Sequence, residues 1–374
     1  MSGPESGAER ETITIHELLE RSARAALDLQ REDGSFPPGR NGVYDEPETP
    51  VRTTSHWLTT LSKVYEITGD EEFAEAANDA ADYLLSEEAR PHGYTFHSRN
   101  VEGKDKCDGL VGQAAPIRGL AWAGFVLERT ELHETAAEVF DLHPFDDRLG
   151  MWERVEIDGT KLSFDRTLNH QIAFAAASTH LTELSSSATV RIGQFLDRLD
   201  VNLRTHSEGL IKHYVRPRPI DSLRTAVSTP RHWRLVLNEV VFHYYSRSSQ
   251  RRRKEIGYHS VNLSGLSALK KRFPDHGFWR SDPIDAVVSY VHSDEYRGNV
   301  FEVPSGSMLP GIETAVGLSA LDNTADVTSW IARDVNEKFD FKQNMFVRQA
   351  SDPVSQATKI YNLTTLPDQR IDLA

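Results

Sequence analysis

Cysteine is all but absent: Cys107 is the single one among 374 residues. This excludes an internal disulfide and any multi-cysteine zinc or iron–sulfur site. Long apolar runs are missing too, with no uninterrupted stretch of about 18 residues such as a membrane-crossing helix requires. The segment Met1 to Glu11 has neither a basic n-region nor an apolar h-region. It reads as a loose polar tail, and the chain as soluble and cytoplasmic. Lysine is scarce: of 42 basic residues 11 are Lys and 31 are Arg, against 56 acidic ones. A net charge of -14 repels a phosphate backbone and argues against nucleic-acid or anionic-membrane partners. Abundant acid with little lysine also suits a protein kept soluble in strong salt. The fifteen histidines show no His-x-x-x-His or comparable ligand spacing, so neither a metal nor a cofactor is expected.

What is present is helical periodicity that repeats. Thr14 and Glu17 form a capping box ahead of an apolar face running to Gln30, and a second helix spans about Val51 to Thr68, with Gly69 past its end. A third, Glu71 to Ser86, is charged on one face. An apolar helix is expected from about Leu110 to Glu128, and a more polar one from Leu132 to Phe140. A β-hairpin follows from Trp152 to Phe164, turning at Asp158-Gly159. Next come a nearly uncharged helix, Ile172 to Leu184, and an amphipathic one, Ala188 to Leu203. Gly34, Gly93, Gly150 and Gly209 are spaced 59, 57 and 59 residues apart. Such a period is one helical hairpin plus its loops. With the polar-faced helices outside and the apolar ones inside, about six units close into an all-α (α/α)6 toroid with short β-hairpin insertions, here read as one domain over 12–374.

Later elements are less regular. They comprise a strand at Leu210 to Val215, a helix at Arg231 to Ser246, a solvated basic helix end at Gln250 to Lys254 and an apolar helix from Ser260 to Phe273. Beyond these come helices over Pro283 to His292, Ile312 to Leu321 and Ala325 to Lys338. The last inner helix has no clear signature; the tail after Phe339 supplies an irregular one, or the ring lacks it.

In such a ring the loops that lead into the inner helices line one mouth of a central cavity, where helix N-termini favour anions and polar groups. The residues preceding each apolar helix are therefore the candidates. They are Tyr44, Asp45, Glu46, Arg52 and His56; Asp105, Lys106, Asp108 and Gln113; Asp165, Arg166, Asn169 and His170; Tyr258, His259 and Asn262; Glu302 and Glu313. Trp57, Tyr94, Phe96 and Trp152 lie nearby in sequence. Aromatic faces beside hydrogen-bonding groups suit a sugar, whose C–H face stacks while its hydroxyls bond. Two carboxyl groups across a sugar ring serve glycosidic cleavage. Arg52 and Arg166 suit a sugar carboxylate, hence a uronic acid. Each residue also has a plain structural role open to it: Asp108 and Asp165 as helix caps, His170 as a core histidine, Arg52 with His56 as a structural pair, Tyr258 as packing.

Four stretches carry a resemblance: Gly42 to Arg52, Asp108 to Gln113, Asp165 to Gln171, and Lys254 to His259 with Asn262. They resemble the glycosidase-like proteins of archaeal N-glycosylation gene clusters, over about residues 12–322. The resemblance implies an (α/α)6 toroid that builds or processes an N-linked glycan containing hexuronic acids, its substrate an oligosaccharide or a lipid-linked glycan. A looser similarity is to unsaturated glucuronyl hydrolases, whose two inner-helix aspartates match Asp108 and Asp165, although Gly109-Leu110 and Arg166-Thr167 depart from their local patterns. The expectation is then a glycoside hydrolase, with Asp108, Asp165 and His170 catalytic. Arg52, His56, Trp57, Gln113, Trp152, Arg166, Asn169, Tyr258, His259 and Asn262 would bind substrate. The alternatives are a uronate epimerase or isomerase, exchanging a proton through Tyr258, His170 or His259, and a non-catalytic glycan-binding toroid.

Overall fold

The computed structural model describes residues 11–41, 44–229, 232, 235, 249–302 and 307–373. Two sequence expectations, the tail up to residue 10 and the helix at Arg231 to Ser246, lie outside them.

Outer helix α1 (Ile15–Leu27) opens on the expected capping box, in which the Glu17 amide donates to Thr14 Oγ1 and the Thr14 amide to Glu17 Oε2. Inner helix α2 (Val51–Thr68) is buried on nearly every side and ends at Gly69, in the left-handed conformation. Several of its hydroxyls are satisfied locally: Ser55 donates to the Val51 carbonyl and Thr59 to that of Ser55. The alternation continues through α3 (Glu71–Leu85), α4 (Val111–Val126), α5 (Thr130–Leu142), α6 (Leu168–Ala177) and α7 (Ser186–Asn202). After the short α8 (Pro219–Ser228) come inner α9 (Ser249–Arg272), outer α10 (Asp282–Val291), short α11 (Asp294–Asn299), inner α12 (Pro310–Leu321) and outer α13 (Val327–Lys338). The sixth inner element is α14 (Pro353–Thr358), continued by a 3-10 turn over Lys359–Thr365.

Each inner element packs on the next, α2 on α4, α4 on α6, α6 on α9, α9 on α12, α12 on the 3-10 turn, and that turn on α2, so the ring closes. The fold is an (α/α)6 toroid. Thr12–Thr14 pairs antiparallel with Arg370–Asp372, which ties the two ends of the described chain together. Neighbouring inner helices touch through glycines: a Cβ on Gly119 would lie 2.8 Å from the Ser55 carbonyl oxygen, and one on Gly317 2.5 Å from Leu263 Cβ. Pro116 inside α4 has no N–H for the Gly112 carbonyl, and Ser98 Oγ donates to that carbonyl instead, at 3.0 Å.

The 58-residue period has a physical cause. In successive units a turn residue with positive φ precedes an apolar residue whose backbone is clasped by a polar side chain of the inner helix. Thr54 accepts from the Phe36 amide at 2.9 Å. Gln113 accepts from the Phe96 amide at 2.7 Å and donates to the Phe96 and Cys107 carbonyls. Gln171 does the same for Trp152 and donates to the Asp165 carbonyl. His259 Nδ1 accepts from the Ile211 amide, its Nε2–H pointing to the Val287 carbonyl. Gln356 donates to the Phe346 and Arg348 carbonyls. The turn residues are Gly34, Gly93, Gly150, Gly209 and, in the sixth unit, Asn344. At Gly209 φ is 101°, and a Cβ would collide with the Ala286 carbonyl of α10, so only glycine fits.

Several sequence expectations are corrected here. No strand forms over Leu210 to Val215; Ile211 and Tyr214 make isolated bridges to Thr205 and Thr167, because the clasp on Ile211 takes up its N–H. The apolar segment after His170 stays α-helical only to Ala177 and tightens into a 3-10 turn over Ser178–Leu181. The basic run at Gln250 to Lys254 is the first turns of α9, held by Glu255, Glu208 and Glu295, and not a solvated end.

Replacing Gln171 by Leu strands the Trp152 amide and the Asp165 carbonyl inside the core and removes one of the two donors to the Trp152 carbonyl, at about 1–3 kcal/mol for each unpartnered group. Gln171→Leu is therefore expected to lose about 3 kcal/mol or more of stability in denaturant unfolding. A loss below about 1 kcal/mol would show the clasp to be dispensable.

Candidate active site

The N-terminal ends of the inner helices surround a cavity of about 410 Å³. Of the sequence candidates, Tyr44, Arg52, His56, Asp108, Asn169, His170, Tyr258 and Glu313 border it. Asp108, with φ of 53°, projects from the turn before α4. Its Oδ2 pairs with Arg52 at 2.5 Å and its Oδ1 with Arg99 at 2.7 Å, so guanidinium groups hold both oxygens. Arg52 also lies 3.2 Å from buried Glu48, one helical turn away.

Asp165 does not border the cavity. It is buried behind His170, whose Nδ1 lies 2.9 Å from Asp165 Oδ2. The same oxygen accepts from the Leu110 amide, and Oδ1 accepts from the Thr167 amide. Burial alone would raise this carboxyl, but the His170 charge and hydrogen bond, with the backbone donors, outweigh it and hold Asp165 far below the usual carboxylate range. Gly109 makes this contact possible, since a Cβ there would come within 2.6 Å of Asp165 Oδ2. Asp165 thus receives the His170 Nδ1–H, and in the neutral form of the ring Nε2 is the acceptor, on a ring that borders the cavity.

His56 is set in the same way by different means. Thr358 gives its single hydroxyl proton to the Ser355 carbonyl at 2.8 Å, so it accepts from His56 Nδ1–H at 3.0 Å. The ring stacks on Tyr361 at 4.2 Å. Burial, then Lys359, Arg52 and Arg118, push His56 well below its ordinary value, so it is neutral with Nε2 as acceptor. Asn169 is almost fully buried at the wall, its Oδ1 without a hydrogen-bond partner. Burial raises Tyr258 to about 12, which keeps its phenol a donor.

The remaining candidates lie elsewhere. Trp57 packs on Phe36, and Trp152 among Phe140, Phe145, Phe174 and Phe195, both buried in the wall between helices. Gln113 and His259 are clasp residues, away from the cavity lining. Arg166 donates to the Leu235 and Val215 carbonyls, and Asn262 is buried in α9; neither borders the cavity.

Other residues supply what sequence left unassigned. Glu313, at the start of α12, borders the cavity and accepts from Ser260 Oγ at 2.7 Å; burial lifts it to about 7. Arg118, Lys254, Lys359, His213 and Tyr361 line the cavity as well. Arg118 was detectable as a lone charge in an apolar helix. Lys359 and Tyr361 sit in the 3-10 element that has no helical signature. Among the described residues no group of three or more His, Cys, Asp or Glu side chains is gathered closely enough to hold a metal ion, and no helix is long and apolar enough to cross a membrane.

The architecture is one used by sugar-converting proteins. Cellobiose 2-epimerase from Bacillus thermoamylovorans matches with a TM-score of 0.63 over 94% of this chain and 98% of its own, at 12% identity. A D-mannose isomerase matches at 0.63 over 97% and 98%, at 11% identity. An alpha-1,6-mannanase of glycoside hydrolase family 76 from Salegentibacter sp. matches at 0.55 over 94% and 98%, at 10% identity. These likenesses concern the fold. No protein-family model matches the chain. In sequence it is 39% identical over 370 residues to archaeal glycosylation protein Q of Haloferax volcanii, covering 96% of this chain and 99% of that protein. The chain belongs to the family of archaeal glycosylation protein Q.

Between pH 4.5 and about 7 the unfolded chain ionises Glu313 while the folded chain keeps it protonated, so its contribution to stability falls as pH rises through that window. Glu313→Gln removes the ionisation from both states. Relative to wild type, the variant is expected to gain stability on the order of 3 kcal/mol between pH 4.5 and pH 8. Denaturant unfolding at the two pH values measures it, and an equal difference at both would refute the buried-acid assignment.

Proposed function

We propose that this protein is a sugar-active enzyme of archaeal protein N-glycosylation that acts on a hexuronate-containing glycan by moving a proton at the ring carbon beside the carboxylate, as an epimerase or isomerase. One observation carries the reading. In a chain of net charge -14, the cavity gathers Arg52, Arg99, Lys104, Arg118, Lys254 and Lys359 against Asp108 and Glu313 alone. Arg118 and Lys359 make no ion pair among the described residues, and they supply the sites for a sugar carboxylate. Kinship with an archaeal glycosylation protein supports a glycan substrate.

The proton chemistry follows from the tautomers. His170 Nε2, its ring oriented by Asp165, takes the proton from the carbon next to the carboxylate. The electron pair passes into the carboxylate, where the cations offset the added charge. Tyr258, protonated because buried, returns a proton to the opposite face; both residues then reset by exchange with water. Hydrolysis by Asp108 and Asp165, the first expectation from sequence, has less support, because Asp165 is turned onto His170 and both Asp108 oxygens are bound by guanidinium groups. Glu313 favours a hydrolytic rival in which it protonates the leaving oxygen, since an acid lifted to about 7 suits that task.

In deuterated water, a methyl hexuronoside or the hexuronate-containing glycan is expected to gain deuterium on a ring carbon without chain shortening. Chain shortening without ring deuterium would decide for hydrolysis. His170→Gln is expected to slow the exchange by about 10²–10⁴-fold, and Asp165→Asn, which reverses the preferred tautomer, to lower kcat far more than it changes KM.

A further inference from the structure

The ring has two mouths, and the second is also hollow. A cavity of about 480 Å³ lies toward the C-terminal ends of the inner helices, bordered by Thr59 of α2, Trp122 of α4, Thr179 after α6, Ser267 of α9, Val316 of α12 and Thr365 of the last 3-10 turn. All six inner elements contribute, so this is the far end of the same bore. Arg118 and Tyr361 border both cavities and form the partition between them, the guanidinium 5.0 Å from the phenol ring centroid.

The far cavity has unmet demands. Ser267 is fully buried at its wall, and its Oγ has no hydrogen-bond partner among the described residues; the indole N–H of Trp122, which also lines the cavity, has none among them either. Buried donors and acceptors left in this state are rare, and each is a place where a ligand or water supplies the missing bond. Trp122, Phe125 and Tyr361 line this cavity together with Thr59, Thr179 and Thr365, a mixture of aromatic and hydroxyl groups that suits a ring with one C–H face and several hydroxyl groups.

Charge narrows the class further. Arg118, Lys271 and Arg272 face this cavity against Glu183, and Glu183 is already paired with Arg272 at 3.0 Å. Arg118 and Lys271 are left without an ion pair among the described residues. Burial, with the charges of Arg118 and Arg272, holds His180 at about 4, so it adds no positive charge at neutral pH. A carboxylate placed between Arg118 and Lys271 would offset both. The volume accommodates a single pyranose ring.

We infer that the far mouth of the bore is a second ligand site, separate from the first cavity, for a monosaccharide-sized ring that carries hydroxyls and a carboxylate. The site does not depend on which reaction the first cavity performs.

Calorimetric titration of the full chain with D-glucuronate tests it, with D-glucose as the uncharged control. Two equivalents of D-glucuronate are expected, and weaker binding of D-glucose. Ala268→Leu, which fills the far cavity, should abolish one equivalent and leave the other. Lys271→Met should weaken the same equivalent about tenfold. Should Ala268→Leu prove unfolded by circular dichroism, the rim substitution Lys271→Met decides alone. A single equivalent in wild type, no binding at all, or two equivalents unchanged in both variants overturns the site. Ring-carbon deuterium exchange failing while two equivalents bind would instead count against the reaction proposed for the first cavity.

Discussion

A buried loop must place every backbone N–H and C=O, and in five of the six inner elements of this ring one polar side chain does that for the turn that feeds it. Gln113 and Gln171 each make three such bonds, and Thr54, His259 and Gln356 do the same with the groups they have. The rest of the site depends on this clasp. Gln171 fixes the carbonyl of Asp165, and through it the carboxylate that orients His170. Gln113 fixes the Cys107 carbonyl one residue before Asp108, so the left-handed turn at Asp108 and Gly109 is held from below. A structural amide and a chemical carboxylate thus come from one short segment, with opposite destinations.

That division explains what could be read from sequence and what could not. The repeat was legible because each unit must place a turn, a clasp and two helices in the same order, and the positive-φ turn leaves glycine as its mark. The limits of α2 were legible because Gly69 ends it. The sixth inner element was hidden: a two-turn helix followed by a 3-10 turn has no 3.6-residue pattern, and its turn residue is Asn344 instead of glycine. Within the site, helix-mouth position identified the segments but not the direction of each side chain. Asp165, Arg166, Asn169 and His170 share one mouth, yet only Asn169 and His170 reach the cavity. Trp57 and Trp152 follow the same logic: an aromatic near a helix mouth is as useful for packing the wall between helices as for stacking on a ligand, and here the packing takes it.

Electrostatics ties fold to substrate. An excess of acid on the surface is no obstacle to an anionic ligand when the low-dielectric bore carries its own cations, because nearby buried charges act more strongly than screened distant ones. The mouth of the cavity is an alternating network in which Glu48, Arg52, Asp108, Arg99 and Asp105 follow one another. Alternation neutralises that rim internally and fixes its geometry. Among the described residues the charge left over is on Arg118, Lys359 and Lys254.

Arg118 is a half-buried cation and the one charged residue of α4, among small and mostly apolar side chains. The Tyr361 ring face offsets part of the cost of its burial, but no carboxylate reaches it among the described residues. Its charge acts in both directions, since it depresses His56 in the near cavity and His180 in the far one, in each case after burial itself. An anion arriving on either side would relieve the same guanidinium, so the second arrival finds less left to neutralise. By linkage the penalty is mutual. A partition built from a hydrophobic residue would have made two independent chambers; with the two sites proposed above, one built from an arginine over a tyrosine ring would make the occupancy of each chamber felt in the other.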